Sequence, residues 1–165
     1  MIMKENINWR RAILLIVGVV LTAVIGFGIF RPFSYDVPFA ESDVSSVTVY
    51  YTYDLMQKKT ADMQSEISLL YTSLGDISPR GSYKQTPDGG QSFILVFHLN
   101  DGSDWICTYF QTADDGRGYF ADKNEQLKVV NLNLKQLWNQ IRQQSTSITA
   151  AEVDALYVRF LEQHK

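Results

Sequence analysis

The sequence predicts an α+β domain, built on an antiparallel meander sheet and preceded by one transmembrane helix. Three observations carry this. A nineteen-residue uncharged apolar run occupies residues 12–30. Alternating apolar and polar segments punctuated by Gly, Asp and Pro fill the middle of the chain. Stripes of helical period follow the first strand and recur twice near the C-terminus.

The apolar run, AILLIVGVVLTAVIGFGIF, has Thr22 as its only hydroxyl residue. At ~1.5 Å per residue its length approaches the ~30 Å hydrocarbon core of a bilayer. Lys4, Arg10 and Arg11 precede it, whereas Asp36, Glu41 and Asp43 follow soon after. The positive-inside rule places residues 1–11 in the cytoplasm and the remainder outside. Ile29, Phe30, Arg31 and Pro32 are bulky continuations for a signal-peptidase site, which favours a retained signal-anchor over a cleaved peptide. Membrane lipid is thus the expected partner of residues 12–30, and the cell membrane the expected location.

Residues 31–43, RPFSYDVPFAESD, read as a juxtamembrane connector. Pro32 and Pro38 oppose helix, and Phe33, Tyr35 and Phe39 suit the membrane interface or packing onto the domain. The extracytoplasmic domain is then expected over residues 44–165, about 120 residues and enough for one unstapled core.

Val44–Tyr53 alternates as a strand should, with Val47, Val49, Tyr51 and Tyr53 on one face. Thr60 reads as an N-cap, followed by an apolar stripe at Met63, Ile67, Leu70 and Leu74 and a terminating Gly75. Pro87-Asp88-Gly89-Gly90 predicts a turn joining a strand over 78–86 to one over 91–99. Asp101-Gly102 predicts a tight hairpin into Asp104–Phe110. Further strands are expected near Tyr119–Ala121 and Leu127–Leu132. Leu134, Leu137, Trp138 and Ile141 mark the next helix. Thr149 and Glu152 stand in capping-box spacing at the start of the last, whose apolar residues are Val153, Leu156, Tyr157, Phe160 and Leu161.

Charge and cysteine content narrow the function. Of 15 basic and 18 acidic residues, the segment before the apolar run holds three and one, so the rest carries a net charge of −5. An acidic domain without a basic cluster is a poor nucleic-acid ligand. The single cysteine, Cys107, excludes an intramolecular disulfide and a multi-cysteine zinc site. No phosphate-binding glycine loop, nucleophile elbow or metal-binding His pair occurs. Neither a cofactor nor a metal site nor a set of catalytic residues is therefore expected. Asp101, Asp104, Asp114, Asp115 and Asp122 cluster around turns but lack calcium-loop spacing, and read as solvated turn residues.

The central hairpin is the most informative piece. If Asp101-Gly102 forms a two-residue turn, Phe93, Leu95, Phe97 and Leu99 share one face with Ile106, Thr108 and Phe110. The other face then carries Ile94, Val96 and His98 beside Trp105, Cys107 and Tyr109. Both faces are apolar, so the second must also be covered, by helices, a partner or a ligand. His98, Trp105 and Tyr109 are the candidate ligand- or partner-binding residues. His98 with Cys107 also invites a Cys/His hydrolase reading, although a lone strand cysteine is ordinarily a small buried hydrophobe.

The order of a basic N-terminus, an apolar anchor, the VTVYY strand, the TADMQSEISLLYTSL helix and the HLNDGSDWICTY hairpin resembles uncharacterised membrane-anchored extracytoplasmic α+β domains of Gram-positive bacteria. The likeness spans most of residues 44–142 in layout and implies a bacterial envelope protein. The expected role is a non-enzymatic interaction module docking another membrane or envelope protein. A small-molecule or peptide sensor is the alternative.

Overall fold

A computed structural model describes residues 35–54, 56–83, 90–112, 116–122, 126–129 and 131–163. The anchor expected over residues 12–30 lies outside these, as do Phe33, Asp114 and Asp115. Among the described residues no helix is long and apolar enough to cross a membrane.

The architecture is α+β, with every described strand pairing antiparallel. A 3₁₀ turn at Glu41–Asp43 leads into β1 (Val44–Tyr51) and β2 (Gln57–Ala61), then α1 (Gln64–Gly75). Strands β3 (Pro79–Tyr83), β4 (Gln91–Leu99), β5 (Asp104–Gln111), β6 (Gly118–Ala121) and β7 (Gln126–Val129) follow. Helix α2 (Leu134–Gln140), the two-residue β8 (Thr146–Ser147) and α3 (Ala150–Glu162) complete the chain. The sheet order is β3-β7-β6-β5-β4-β1-β2-β8.

Strand β1 joins β4 because its alternating valines match the alternating apolar residues of β4, Val47 opposite Phe97 and Val49 opposite Leu95. That pairing occupies the edge of β4 where a hairpin from residues 78–86 was expected. The expected hairpin does not form, and β3 instead pairs with β7 at the far edge. Helix α1 carries the chain across one face of the sheet between these two edges, burying Ile67, Leu70 and Leu74.

The start of α1 also differs from expectation. Thr60 is a strand residue opposite Thr48 in β2, and the helix N-cap is Met63. The segment QKKTA lacks an apolar alternation, so only its pairing with β1 makes it a strand. Its two lysines point to opposite faces and fasten different helices. Lys59 donates to the carbonyls of Trp138 and Ile141 at 3.0 and 3.2 Å, capping the C-terminal end of α2. Lys58 meets Glu152 of α3 at 3.2 Å.

From Tyr35 on, the expected connector is part of the packed body, with Tyr35, Val37 and Phe39 against the core. Phe39 rests against Phe97 and Trp105, with ring centroids 5.4 and 5.3 Å away. Tyr35 meets Phe120 edge-on at 4.9 Å.

Both faces of the sheet are covered. Helices α1 and α2 and residues 35–39 close one, around Leu70, Phe93, Phe97 and Tyr109. Helix α3 closes the other, setting Val153, Leu156 and Phe160 on Ile94, Val96 and Ile106. The capping box expected at Thr149 and Glu152 is present in both directions.

Candidate functional site

The three candidate residues of the central hairpin do not converge. The loop contains three residues, Asn100, Asp101 and Gly102, rather than two. The Gly102 N–H donates to the Leu99 carbonyl at 3.0 Å, and the Leu99 N–H to the Ser103 carbonyl at 2.8 Å. Gly102 sits at φ +85°, the left-handed conformation that such a loop requires. The extra loop residue shifts the register by one, setting Phe97 opposite Trp105, Leu95 opposite Cys107 and Phe93 opposite Tyr109. A one-residue shift exchanges the faces of a whole strand. Trp105, Cys107 and Tyr109 therefore lie in the core beneath α1 and α2, whereas His98 lies on the α3 face.

This corrects the groove expected from His98, Trp105 and Tyr109. Trp105 is 9 % exposed and Tyr109 is 1 % exposed, its hydroxyl donating to the Gly116 carbonyl at 3.0 Å. The same shift removes the Cys/His pairing. Cys107 is fully buried on the face opposite His98, and burial pushes its thiol well above the ordinary value, away from the reactive thiolate.

His98 belongs to a row of polar groups that the sequence did not disclose. Its Nδ1 lies 2.6 Å from Asp104 Oδ1, and its Nε2 lies 2.9 Å from Thr48 Oγ1. Thr48 Oγ1 is also 3.2 Å from Thr60 Oγ1, and Asp104 accepts from Arg159 through its second oxygen. A hydroxyl, an imidazole and a carboxylate in line have the ingredients of nucleophilic catalysis. Thr48, however, is 5 % exposed and engaged by Thr60 as well as His98, so no open approach leads to its oxygen. The row instead ties β1, β4, β5 and α3 together. Partial burial raises the Asp104 carboxyl, but bonds from Arg159 and His98 outweigh it and hold the group below the ordinary carboxylate range.

Asp122, expected as a solvated turn residue, is 7 % exposed and accepts a hydrogen bond from the Tyr35 hydroxyl. Burial, then that carboxylate, pushes the Tyr35 phenol far above its ordinary value. The pair fastens residues 35–39 to the end of β6.

Among the described residues, besides the separately exposed Tyr53, Met63 and Leu69, two features open to solvent stand out. The first is a concavity of about 310 Å³ at the opposite end of the sheet from the hairpin tip. Tyr51 and Phe93, cross-strand partners on β1 and β4, stand 5.1 Å apart by ring centroid, and Trp138 of α2 stands 6.2 Å from Tyr51. Asp54, Gln91 and Lys135 also line it. Lys59 lies 5.2 Å from the Trp138 ring centre while donating to its carbonyl, which fixes the indole in place. Burial, then the neighbouring Asp54 carboxylate, raises the Tyr51 phenol.

The second is the outer side of α3. Tyr157, Val158 and Leu161 are 40, 54 and 54 % exposed, whereas Val153, Leu156 and Phe160 face the sheet. Spacings of three and four residues put the first set on one side of the helix. Of these outer residues, sequence periodicity assigned Tyr157 and Leu161 to the core stripe.

No protein-family model, curated protein or solved structure matches this chain.

Proposed function

We propose that the chain is a membrane-anchored, extracytoplasmic interaction module, non-enzymatic, that docks another membrane or envelope protein. Its place outside a bacterial cytoplasmic membrane rests on the residue 12–30 run, the arginines before it and the layout it shares with anchored Gram-positive domains. The observation that carries the docking reading is the outer stripe of α3. Both faces of the sheet are already covered from within, yet Tyr157, Val158 and Leu161 stay in water. A helix offering an apolar stripe with residues three and four apart is a recurrent docking element. A shared bilayer would raise the effective concentration of a partner, so a small interface suffices.

The test is site-specific photo-crosslinking of the full chain in its native membranes. A crosslinker at Val158 is expected to give a discrete higher-mass adduct, and one at exposed Lys128 on β7 is not. Recovery of only the monomer from position 158, while known membrane complexes in the same preparation are trapped, would reject the docking reading. Resistance of the domain to protease added outside spheroplasts would reject the placement.

A second reading, a small-molecule or peptide sensor, is favoured by the concavity between Tyr51, Phe93 and Trp138. About 310 Å³ falls at the lower end of the ~300–1,000 Å³ of ligand pockets, and an apolar floor with a few polar groups is their usual make-up.

A further inference from the structure

We infer that the outer face of α3 docks a helix of a second protein that carries an arginine or lysine within its apolar stripe, set against Asp154. The inference rests on the docking reading and adds the chemistry of the partner.

Helical spacing defines the surface. Asp154 has Ala150 and Ala151 four and three positions before it, Tyr157 and Val158 three and four positions after it, and Leu161 two turns on. All six are exposed, while Val153, Leu156 and Phe160 face the sheet. Asp154 therefore stands within the apolar stripe, and its neighbours along the helix face carry no charge. Other charges of α3 are engaged, Glu152 by Lys58 and Arg159 by Asp104. Among the described residues Asp154 itself takes part in no hydrogen bond or ion pair.

The carboxylate then selects the occupant. In the free domain it is hydrated. A surface that covers Tyr157 and Val158 also takes Asp154 out of water, and a carboxylate desolvated without a partner opposes binding. A cation opposite it removes that penalty. A guanidinium serves best, because it is planar, weakly hydrated and matches a carboxylate with two parallel N–H bonds. Side chains three and four positions apart pack into the grooves of another helix, which puts the cation on an apolar helical stripe.

A second copy of this chain does not supply the cation. An antiparallel pair of α3 helices with Val158 on the two-fold axis sets Asp154 against Glu162. With the axis between Tyr157 and Val158, Asp154 meets Leu161, and a parallel pair sets it against itself. A bilayer surface is no better, since anionic headgroups repel the carboxylate and acyl chains cannot solvate it.

The experiment is photo-crosslinking of the full chain from position 158 in its native membranes, with Asp154 intact or changed to Glu, Asn or Arg. Asp154→Glu is expected to keep the adduct. Asp154→Asn should lower its yield several-fold, and Asp154→Arg about tenfold or more, with the circular dichroism of the purified chain unchanged. Sequencing of the attached peptide should find an arginine or lysine within one helical turn of the linked residue. Exchanging that residue for glutamate should restore the adduct of Asp154→Arg. An adduct that keeps full yield in Asp154→Arg, or a charge exchange that restores nothing, would overturn the pairing and leave docking at α3 intact. An adduct built of two copies of this chain would overturn the second protein. No adduct from the chain with Asp154 intact would overturn the docking reading and this inference with it.

Discussion

The two faces of the sheet are covered by different means. Among the described residues, the face beneath α1 and α2 gathers 20 buried apolar residues, and the face beneath α3 gathers eight. The first includes five buried aromatic residues, Phe93, Phe97, Trp105, Tyr109 and Phe120, and burial dominates it, with Lys59 and the Tyr35–Asp122 pair as added fastenings. The second has one helix, and polar links make up the difference at both its ends. Lys58 and Glu152 fasten the start of α3. Near its end, Arg159 reaches Asp104, and the Gln163 side chain accepts from the Ile106 N–H at 2.7 Å and donates to the Ile106 carbonyl at 3.2 Å. Among the described residues β6 pairs with β5 only from Thr108 onward, and Gln163 supplies the Ile106 N–H and carbonyl with a partner. A thick apolar cover is expected to unfold with the sheet, a thin cover with polar fastenings before it.

Truncation in the thick face should have the largest effect. Phe97 is fully buried and touches the rings of Phe39 and Trp105, so Phe97→Ala is expected to cost about 3–5 kcal/mol. Urea unfolding followed by both tryptophan fluorescence and circular dichroism should keep a single coincident transition. Phe160→Ala removes a ring of the same size from the thin face. It should cost less, about 2–3 kcal/mol, because α3 can lift away while the sheet stays formed. Its two probes should separate, with helical signal lost before the fluorescence of Trp105. Coincident transitions in both variants would mean that the two covers form one cooperative unit.

The polar fastenings sharpen the same contrast at smaller magnitude. Gln163→Ala leaves the Ile106 N–H and carbonyl without this partner, and should cost about 1–2 kcal/mol. Hydrogen exchange should locate the loss at α3 and the first half of β5, not at α1. Acid should act at the same place. The Asp104 carboxyl is pushed up by partial burial but pulled further down by Arg159 and His98. Backbone bonding from Thr149, then Lys58, lowers that of Glu152. Carboxyls lowered on folding stabilise the folded state above the ordinary range near pH ~4, and that contribution is lost as pH falls through the lowered values. Exchange protection in α3 is therefore expected to fall below about pH 4 while β1 and β4 stay protected. Simultaneous loss in all three elements would contradict the division.

The same contrast accounts for what the sequence made legible. The two-sided apolar character of β4 and β5 was plain from residue type alone, and it correctly required a second cover. The register was not. Asp101-Gly102 reads naturally as a two-residue turn, and only the bonds of Leu99 with Gly102 and Ser103 reveal the third loop residue. That single residue decided whether His98 stood beside Trp105 or on the other side of the sheet. Strand β2 has no sequence signature because its residues are polar, and its conformation comes from pairing with β1. The concavity unites residues near 51, 91 and 135 on three elements, a nearness that no local pattern records. Asp122 has its partner 87 positions away in Tyr35. Short-range signals such as the Thr149–Glu152 capping box and the Ile67, Leu70 and Leu74 stripe were readable because their partners lie within the same helix.

The smallest expected change in stability concerns the third side of this comparison, the outward face of α3. If Val158 and Leu161 packed against the rest of the chain, exchanging them for serine would cost as much as any core truncation. Both are more than half exposed, so Val158→Ser and Leu161→Ser should shift the urea midpoint by no more than ~0.5 kcal/mol in free energy. Their effect should fall instead on the crosslinked adduct formed from neighbouring Tyr157, which is expected to disappear. A variant that folds normally and still yields the adduct would show that partners meet the domain elsewhere. A variant that melts early would show that this stripe belongs to the thin cover after all, packing where the exposed side chains give no sign of it. Stability and adduct together thus separate a helix that only closes the sheet from one that closes it inward and binds outward.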